Sequence, residues 1–469
     1  MLRAVCLSPT RLAARDLARL GALQPCFNRL YDAVARDVGF VVGALSVLAS
    51  SCAWNATELA AFERLAASQP KKPRLLLPNS VFLEAGGGAL PDASAAESKF
   101  VLTVGNVQAG EPYQLQLVHT LQSAGRTGVL PGPLRTVSRA IATTARLVHA
   151  DGTPCVAILT KPAESLALRT AVDVRGVGRE LQEEHGVDVR YVSPRELADA
   201  SVDSTGELWL PSAAGGRRVS VVYSRYDWSH PSGAYSAAMS EHSAELQQEW
   251  ATVERIERSR AVMSSSLGCR LAHRRAVQHA LSRPQQLERF LPADEAAAIR
   301  AVLPEQWCLA HEGERRVAAR LVEEDADGFV AKNVLRPRTG SGATQDRDAS
   351  GGRIIRDAAE LRALLSDERR AVRYMLYRKI RPRTHHAEVV VHASEVHELQ
   401  GSAVSEVASF GAFVADETGR VIMNELAGFG ARTRPSESDH PLAKSLGYGA
   451  LTCVAESLEH CKSSPASAT

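Results

Sequence analysis

Residues 26–48 place Phe27, Leu30, Val34, Val38, Val41, Val42 and Leu45 at steps of three and four, the spacing of an apolar stripe on a helix. Leu12, Leu17 and Leu20 carry the same period toward the start, and Pro9-Thr10 ahead of them reads as the helix start. Val38–Thr57 runs uncharged for a span's length, but its serines, Gly39, Gly43 and Asn55 predict a buried helix instead. A short apolar run over Arg74–Leu77 follows, then a Gly/Ala-rich loop over Glu84–Ala96 and a strand over Phe100–Val104. The Gly128–Pro133 cluster marks a boundary. Beyond it the periodicity alternates: helix 134–148, strand Cys155–Leu159, helix Ser165–His185 closed by Gly186, strand Val187–Val192. Two further strands, Glu207–Leu210 and Arg218–Tyr223, flank a Gly215-Gly216 turn. This βαβ pattern predicts a parallel sheet with helices on its faces. A long helical stretch over 236–300 is interrupted near Ser264–Gly268 and at Pro284, and strands alternate with loops from Gly328 to Glu425. The polar end, Ser463–Thr469, reads as a disordered tail.

Composition narrows the classes. At 469 residues, 45% apolar and 23% charged, the chain has core enough for two or three globular domains. Lys and Arg total 55 against 53 Asp and Glu, a net charge of +2 with no long basic run, which argues against a nucleic-acid partner. Lys71-Lys72-Pro73-Arg74 is too short to count and reads as a solvated turn before an apolar strand. The eight cysteines form no C-x-x-C and stand at no zinc-finger spacing with histidine, the usage of scattered thiols in a reducing compartment. Arg3, Arg11, Arg15 and Arg19 resemble a presequence, yet the segment reads better as part of a mature helix.

Five constellations carry candidate chemistry. Lys332 ends an apolar run, Gly328-Phe329-Val330-Ala331-Lys332, and a polar loop bearing Gly340, Gly342, Gly351 and Gly352 follows. An ammonium beside Gly-rich backbone can surround phosphate, although a solvated lysine and a plain surface loop have the same look. Tyr374–Ile380 passes from an apolar strand into Arg378 and Lys379, as would a hinge that reads an adenine edge or any strand leaving a core. Glu406 interrupts the apolar run between Ser405 and Val414, so it needs a partner: a ribose hydroxyl, a metal or an arginine. Arg432 and Arg434, two apart on an extended segment, point to one side and can clamp a carboxylate. Arg225 follows the run Val221–Ser224 at a strand's carboxyl end, where ligands gather in α/β sheets. GxxxxGK[ST], HExxH and GxSxG are absent.

In this order the segments resemble the eukaryotic-type glutathione synthetases. The matching stretches are Phe27–Val34, Val221–Trp228, Glu257-Arg258-Ser259, Ala276–Pro284 (AVQHALSRP), Phe329–Gly342, Tyr374–Ile380, Val404–Val414 and Val421–Arg434 (VIMNELAGFGARTR). They cover most of 20–435, and the chain starts late relative to the family. The resemblance implies an α/β ATP-grasp fold with an inserted parallel-sheet α/β substrate domain and an N-terminal helical region. Residues 1–133 would hold that helical part and the first strands of the body, 134–230 the substrate domain, 231–462 the nucleotide-binding body and lid, and 463–469 the tail. It implies ATP and Mg2+, γ-glutamylcysteine and glycine as substrates, an acyl phosphate between them, a cytoplasmic homodimer, and no membrane partner. Lys332 matches the phosphate-contacting lysine and Arg432 the clamp on substrate, the two catalytic positions; Arg275, Gly340, Gly342, Lys379, Ile380 and Glu406 match nucleotide positions. Arg225, Asn106 and Arg434 join Arg432 on the substrate side, and Asn106 stands where the family has a metal ligand.

The departures fall on charged groups. The family's Glu-Ile-Asn reads Val104-Gly105-Asn106, its Arg-Glu before the glycine loop reads Leu335-Arg336-Pro337-Arg338, and its Arg-Ser-Asp reads Asn79-Ser80-Val81. The hinge glutamate is Arg378, the paired lysines before AVQHALSRP are Arg275 and Ala276, and the lid reads Asp439–Gly449. Asp346 or Asp348 would have to replace the lost acids. Three readings follow: a working glutathione synthetase, a degenerate relative that binds or dimerises without ligating, and a ligase for another substrate.

Overall fold

Two long antiparallel strands, Ser402–Ala415 and Val421–Pro435, form the axis of the largest sheet. A computed structural model describes residues 4–49, 53–68, 70–86, 99–106, 111–124, 126–159, 169–211, 216–224, 244–334, 354–386, 389–392, 395–398, 402–436 and 449–457. In the ten-stranded sheet the order is Glu395–Glu398, Val389–His392, Val5–Cys6, Ala450–Thr452, Val421–Pro435, Ser402–Ala415, Asn79–Ala85, Lys99–Asn106, with His385–His386 and Arg74–Leu76 also pairing to Ser402–Ala415.

Alternation along the two axial strands divides the core. Val407, Phe413, Phe429 and Ala431 meet Phe27, Tyr31 and Leu20 of helix Ala14–Arg36 on one face. Phe410, Ala412, Val414 and Leu451 meet Val137 and Ile141 of helix Leu134–Val148 and Leu115 of helix Pro112–Ser123 on the other. The first contact is close. A Cβ on Gly411 would lie 2.0 Å from Asn28 Oδ1, so only glycine lets the helix approach where the strand shifts register between Phe410 and Gly411.

The parallel sheet predicted from the βαβ pattern is present, in the order Val262–Ser264, Val221–Ser224, Cys155–Leu159, Asp188–Val192. Helix 134–148 and strand 155–159 fall where the periodicity put them, and Gly186 takes φ +62° after helix Arg169–Glu183. A third sheet, Gln306–Cys308, Tyr374–Arg378, Phe329–Asn333, Ile354–Ile355, is antiparallel. Its Phe329, Ala331, Ile355 and Leu376 form a separate core with Ala318 and Val322 of helix Glu312–Glu324 and Leu361 and Leu364 of helix Ala358–Ser366.

Four expectations are corrected. Thr10 does not start a helix: Thr10–Leu12 is a strand paired in parallel with Val454–Glu456, and the helix begins at Ala14, because a partner 440 residues on in the sequence, roughly, outcompetes the local signal. Arg218–Tyr223 is not one strand: Arg218–Val219 pairs with Leu208–Trp209, and Val221–Ser224 enters the parallel sheet. The interruption at 264 is a strand, Val262–Ser264, not a gap in a helix. Lys72 is not solvated: its Nζ donates to the carbonyls of Glu257, Ala261, Ser259 and Ile256 at 2.8, 2.9, 3.1 and 3.4 Å. The uncharged Val38–Thr57 segment divides into Val38–Ala49 and the start of Ala53–Ser68, and no helix among the described residues is long and apolar enough to cross a membrane.

One buried base gives a pH prediction. His273 stacks on Tyr31 with ring centroids 3.6 Å apart, and its Nδ1 donates to the Cys269 carbonyl at 2.8 Å. Burial pushes its pKa down to about 3. An unfolded chain takes up that proton near 6.5, so between about pH 6.5 and 3 the unfolded state binds more protons and stability falls as pH falls. Urea unfolding at pH 7.5 and 5.0 is expected to show the parent losing about 2 kcal/mol more than His273→Phe. Equal losses would assign the acid sensitivity to other groups.

Candidate functional site

The small antiparallel sheet has two unlike faces. Phe329, Ala331, Tyr374 and Leu376 point into its helix-covered core. By the pairing Lys332↔Met375, Val330↔Tyr377 and Gln306↔Tyr377, the opposite face carries Lys332, Val330, Met375, Tyr377 and Gln306. Lys332 Nζ stands 5.0 Å from the centre of the Tyr377 ring, a cation–π contact that holds the ammonium over this face. Gln306 Nε2 is buried here with no hydrogen-bond partner among the described residues. Arg275, first residue of helix Arg275–Ser282, donates from Nη1 to the carbonyl of Asn333 at 3.2 Å, so it is tied to the residue after Lys332.

Strand Tyr374–Arg378 then runs into Lys379 and Ile380. The Lys379 amide donates to the Gly328 carbonyl at 2.8 Å and the Arg378 amide to Glu305 at 3.0 Å. The chain crosses directly to the large sheet. Gly86 N donates to Arg381 O and Arg383 N to Glu84 O, both at 2.8 Å, and His385–His386 pairs with Ser402–Ala415. Lys379 and Ile380 therefore stand at the start of the segment that connects the two sheets. They lie close in sequence to a segment paired alongside Leu83, the strand neighbour of Glu406.

On the large sheet Glu406 pairs with Arg432 and Val404 with Arg434, so Glu406, Arg432 and Arg434 share one face. That face carries a residue the sequence reading missed. Glu111 is the N-cap of helix Pro112–Ser123, but the amides of Tyr113 and Gln114 are capped by Asp173 Oδ1, at 2.9 and 3.2 Å. The Glu111 carboxylate turns instead to Arg432, with Oε2 3.6 Å from Nη2, and is 6% exposed. In sequence an acid before Pro112 looks like any first-turn acid. Only Asp173, some 60 residues on, redirects it.

Asn79 and Asn106 pair directly across strands Asn79–Ala85 and Lys99–Asn106, and Val81 pairs with Val104. Asn79 Oδ1 and Ser80 Oγ are buried with no hydrogen-bond partner among the described residues. The strand backbone reaches Asn106, whose side chain lies outside the described residues, as do Arg225, Gly340, Gly342, Arg336, Arg338, Asp346, Asp348, the 439–448 lid segment and the 463–469 tail. The described residues thus form two groups: Arg275, Lys332, Lys379 and Ile380 around the small sheet and the segment that leaves it, and Glu406, Arg432 and Arg434 on the large one. Magnesium favours hard oxygen ligands with one or two carboxylates among them. At the paired strand ends Asn79 faces Asn106 and Val81 faces Val104, which bring no carboxylate there, and Glu111 is engaged by Arg432.

Residues 132–454 match the family model for the ATP-binding domain of eukaryotic glutathione synthase. The chain is 25% identical over 315 residues to the chloroplastic glutathione synthetase of Arabidopsis thaliana, covering 66% of this chain and 51% of that protein. It is 28% identical over 196 residues to the human glutathione synthetase, covering 40% and 38%. The chain spans about half the length of the curated relatives it matches. Among solved structures, a glutathione synthetase-like effector from Globodera pallida in apo form superposes with a TM-score of 0.70 at 15% identity, covering 97% of this chain and 90% of the other, a likeness of fold.

Proposed function

Since the chain belongs to the eukaryotic glutathione synthase family, with its mixed α/β ATP-grasp architecture, we propose that it is an ATP-dependent carboxylate–amine ligase joining γ-glutamylcysteine to glycine. The observation that carries the reading is the two-part arrangement: basic and amide groups on the face of the small sheet turned away from its core, two arginines on one face of the large sheet, and a segment that connects them. On this reading ATP lies along the small sheet. The Lys379 amide is already engaged by Gly328, so the Lys379 carbonyl and the Ile380 amide read the adenine edge. Gln306 Nε2 supplies a donor that has no acceptor among the described residues. Glu406 accepts from the ribose, and Lys332 and Arg275 hold the phosphates with Gly340 and Gly342 of the following loop. Arg432 and Arg434 hold the dipeptide's carboxylate, and Arg225 and Asn106 match further substrate positions of the family in sequence.

The chemistry is a carboxylate oxygen attacking the γ-phosphorus with ADP leaving, then glycine nitrogen attacking the acyl phosphate with phosphate leaving. Lys332 and Arg275 would stabilise charge on the transferring phosphoryl, the largest contribution a protein makes to such a step. Magnesium would supply further charge neutralisation when bound, although the paired strand ends offer it asparagine and valine where the family pattern has a carboxylate. The cytoplasmic homodimer of the family belongs to the same proposal.

A second reading, a degenerate relative acting as a binding or dimer partner, is favoured by the Glu111–Arg432 pair and the Val104 substitution. An arginine already facing an internal carboxylate is a weaker clamp for an anionic substrate. Calorimetric titration with ATP and magnesium, with and without γ-glutamylcysteine, separates the readings. Binding strengthened by the dipeptide, with glycine-dependent phosphate release, is the expected result. Binding without turnover selects the second reading, and no binding at millimolar ATP overturns the nucleotide site altogether.

A further inference from the structure

The seam between helix Arg275–Ser282 and strand Gln306–Cys308 brings together groups that the ligase chemistry does not use. His279, Cys308 and His311 each present one ligand atom, and these atoms lie within 4.8 Å of one another. His279 comes from the helix, Cys308 ends the strand, and His311 follows in the turn, its amide donating to the Cys308 carbonyl at 3.0 Å. We propose that His279, Cys308 and His311 form a His2Cys site for a borderline-soft divalent cation, zinc first among them, with water completing a tetrahedron.

The donor set selects the metal class. One thiolate and two imidazoles suit zinc and its neighbours and suit magnesium or calcium poorly. Tetrahedral zinc with nitrogen at about 2.0–2.1 Å and sulfur at about 2.3 Å sets its donors roughly 3.3–3.6 Å apart. The ligand atoms, within 4.8 Å of one another, therefore draw together when the ion binds. Cys308 and His279 are buried, whereas His311 is half-buried and gives the ion and a water a way in.

The surroundings resemble those of a built metal centre. Glu314 Oε2 accepts from His279 Nε2 at 2.8 Å and from the Cys308 amide at 2.7 Å, so one carboxylate oxygen orients two of the three ligand residues. With the Nε2 proton given to Glu314, the His279 Nδ1 lone pair is the one to offer a metal. The other oxygen accepts from Arg283 at 2.8 Å, which pairs the nearby guanidinium with a carboxylate. Binding replaces the thiol proton: Cys308–SH and M2+ give the thiolate complex and one released proton, with no change in oxidation state. A bound ion would join the helix that carries Arg275 to the edge of the sheet that carries Lys332. This site does not depend on the ligase reading.

The test uses the full chain stripped with a chelator. Zn2+ is titrated in competition with a chromophoric chelator, and Co2+ is added as a spectroscopic probe. The expected result is one equivalent bound per chain and a near-ultraviolet sulfur-to-cobalt charge-transfer band. Cys308→Ser removes the band, and His311→Ala, at a half-buried position, weakens zinc binding roughly 100-fold while its circular dichroism matches the parent. Glu314→Gln weakens it roughly 10–100-fold. Absence of stoichiometric binding overturns the site, as does binding and a cobalt band that survive in both the Cys308 and His311 variants.

Discussion

Lys332→Ala is expected to weaken ATP binding at least tenfold and to lower any ATP-dependent turnover by roughly 10²–10³-fold, the usual effect of removing one charge-stabilising donor from a transferring group. The expectation rests on the position of the ammonium on the face turned away from the small sheet's core, held over Tyr377. Stability should change little, since a cation–π contact at a partly exposed site contributes about 0.5–1 kcal/mol. Titration calorimetry on parent and variant measures the first effect and thermal unfolding the second. Unchanged ATP affinity in a well-folded variant would move the phosphates off this face. A lost affinity accompanied by a large fall in melting temperature would make Lys332 a packing residue.

Lys72→Ala is expected to cost about 3–5 kcal/mol of stability, read from the chemical-denaturation midpoint. Helix Ala244–Arg258 ends with carbonyls that have no partner within the helix, and the same turn leads into strand Val262–Ser264. Lys72 gathers four of these carbonyls onto one ammonium, with Glu257 Oε2 3.9 Å away. Burial pushes the lysine pKa down to about 8 while Glu257 holds it up, so the group is still charged at neutral pH. Deleting it takes a donor from each of these carbonyls; the Ile256 carbonyl keeps the Ser259 amide and hydroxyl, and each acceptor left unpaired is worth about 1–3 kcal/mol. It also cuts the tie between the parallel sheet and strand Arg74–Leu76 of the large one. Lys72→Met keeps the aliphatic length and should lose nearly as much, which isolates the ammonium from packing. A loss under about 1 kcal/mol in both variants would mean that water replaces the lysine.

Much of this protein was determined by its sequence alone. Helix 134–148, strand 155–159 and the parallel sheet followed from local periodicity, because a βαβ unit writes its alternation into neighbouring residues. The pairing of Arg432 and Arg434 on one side followed from the two-residue period of an extended strand, and the long strand Val421–Pro435 bears it out. Tertiary structure decided what depends on partners distant in the chain. Thr10–Leu12 is a strand only because Val454–Glu456 lies beside it, and Lys72 is buried only because a helix terminus nearly 190 residues later converges on it. Glu111 faces Arg432 because Asp173 has taken the capping role that its position suggested. His279 meets Cys308 and His311 across a gap that no ligand-spacing motif covers. Local pattern reports the free energy a segment gains from its own neighbours. Burial of a charge, and the pairing that makes burial tolerable, are set by groups that only the fold brings within a few ångströms.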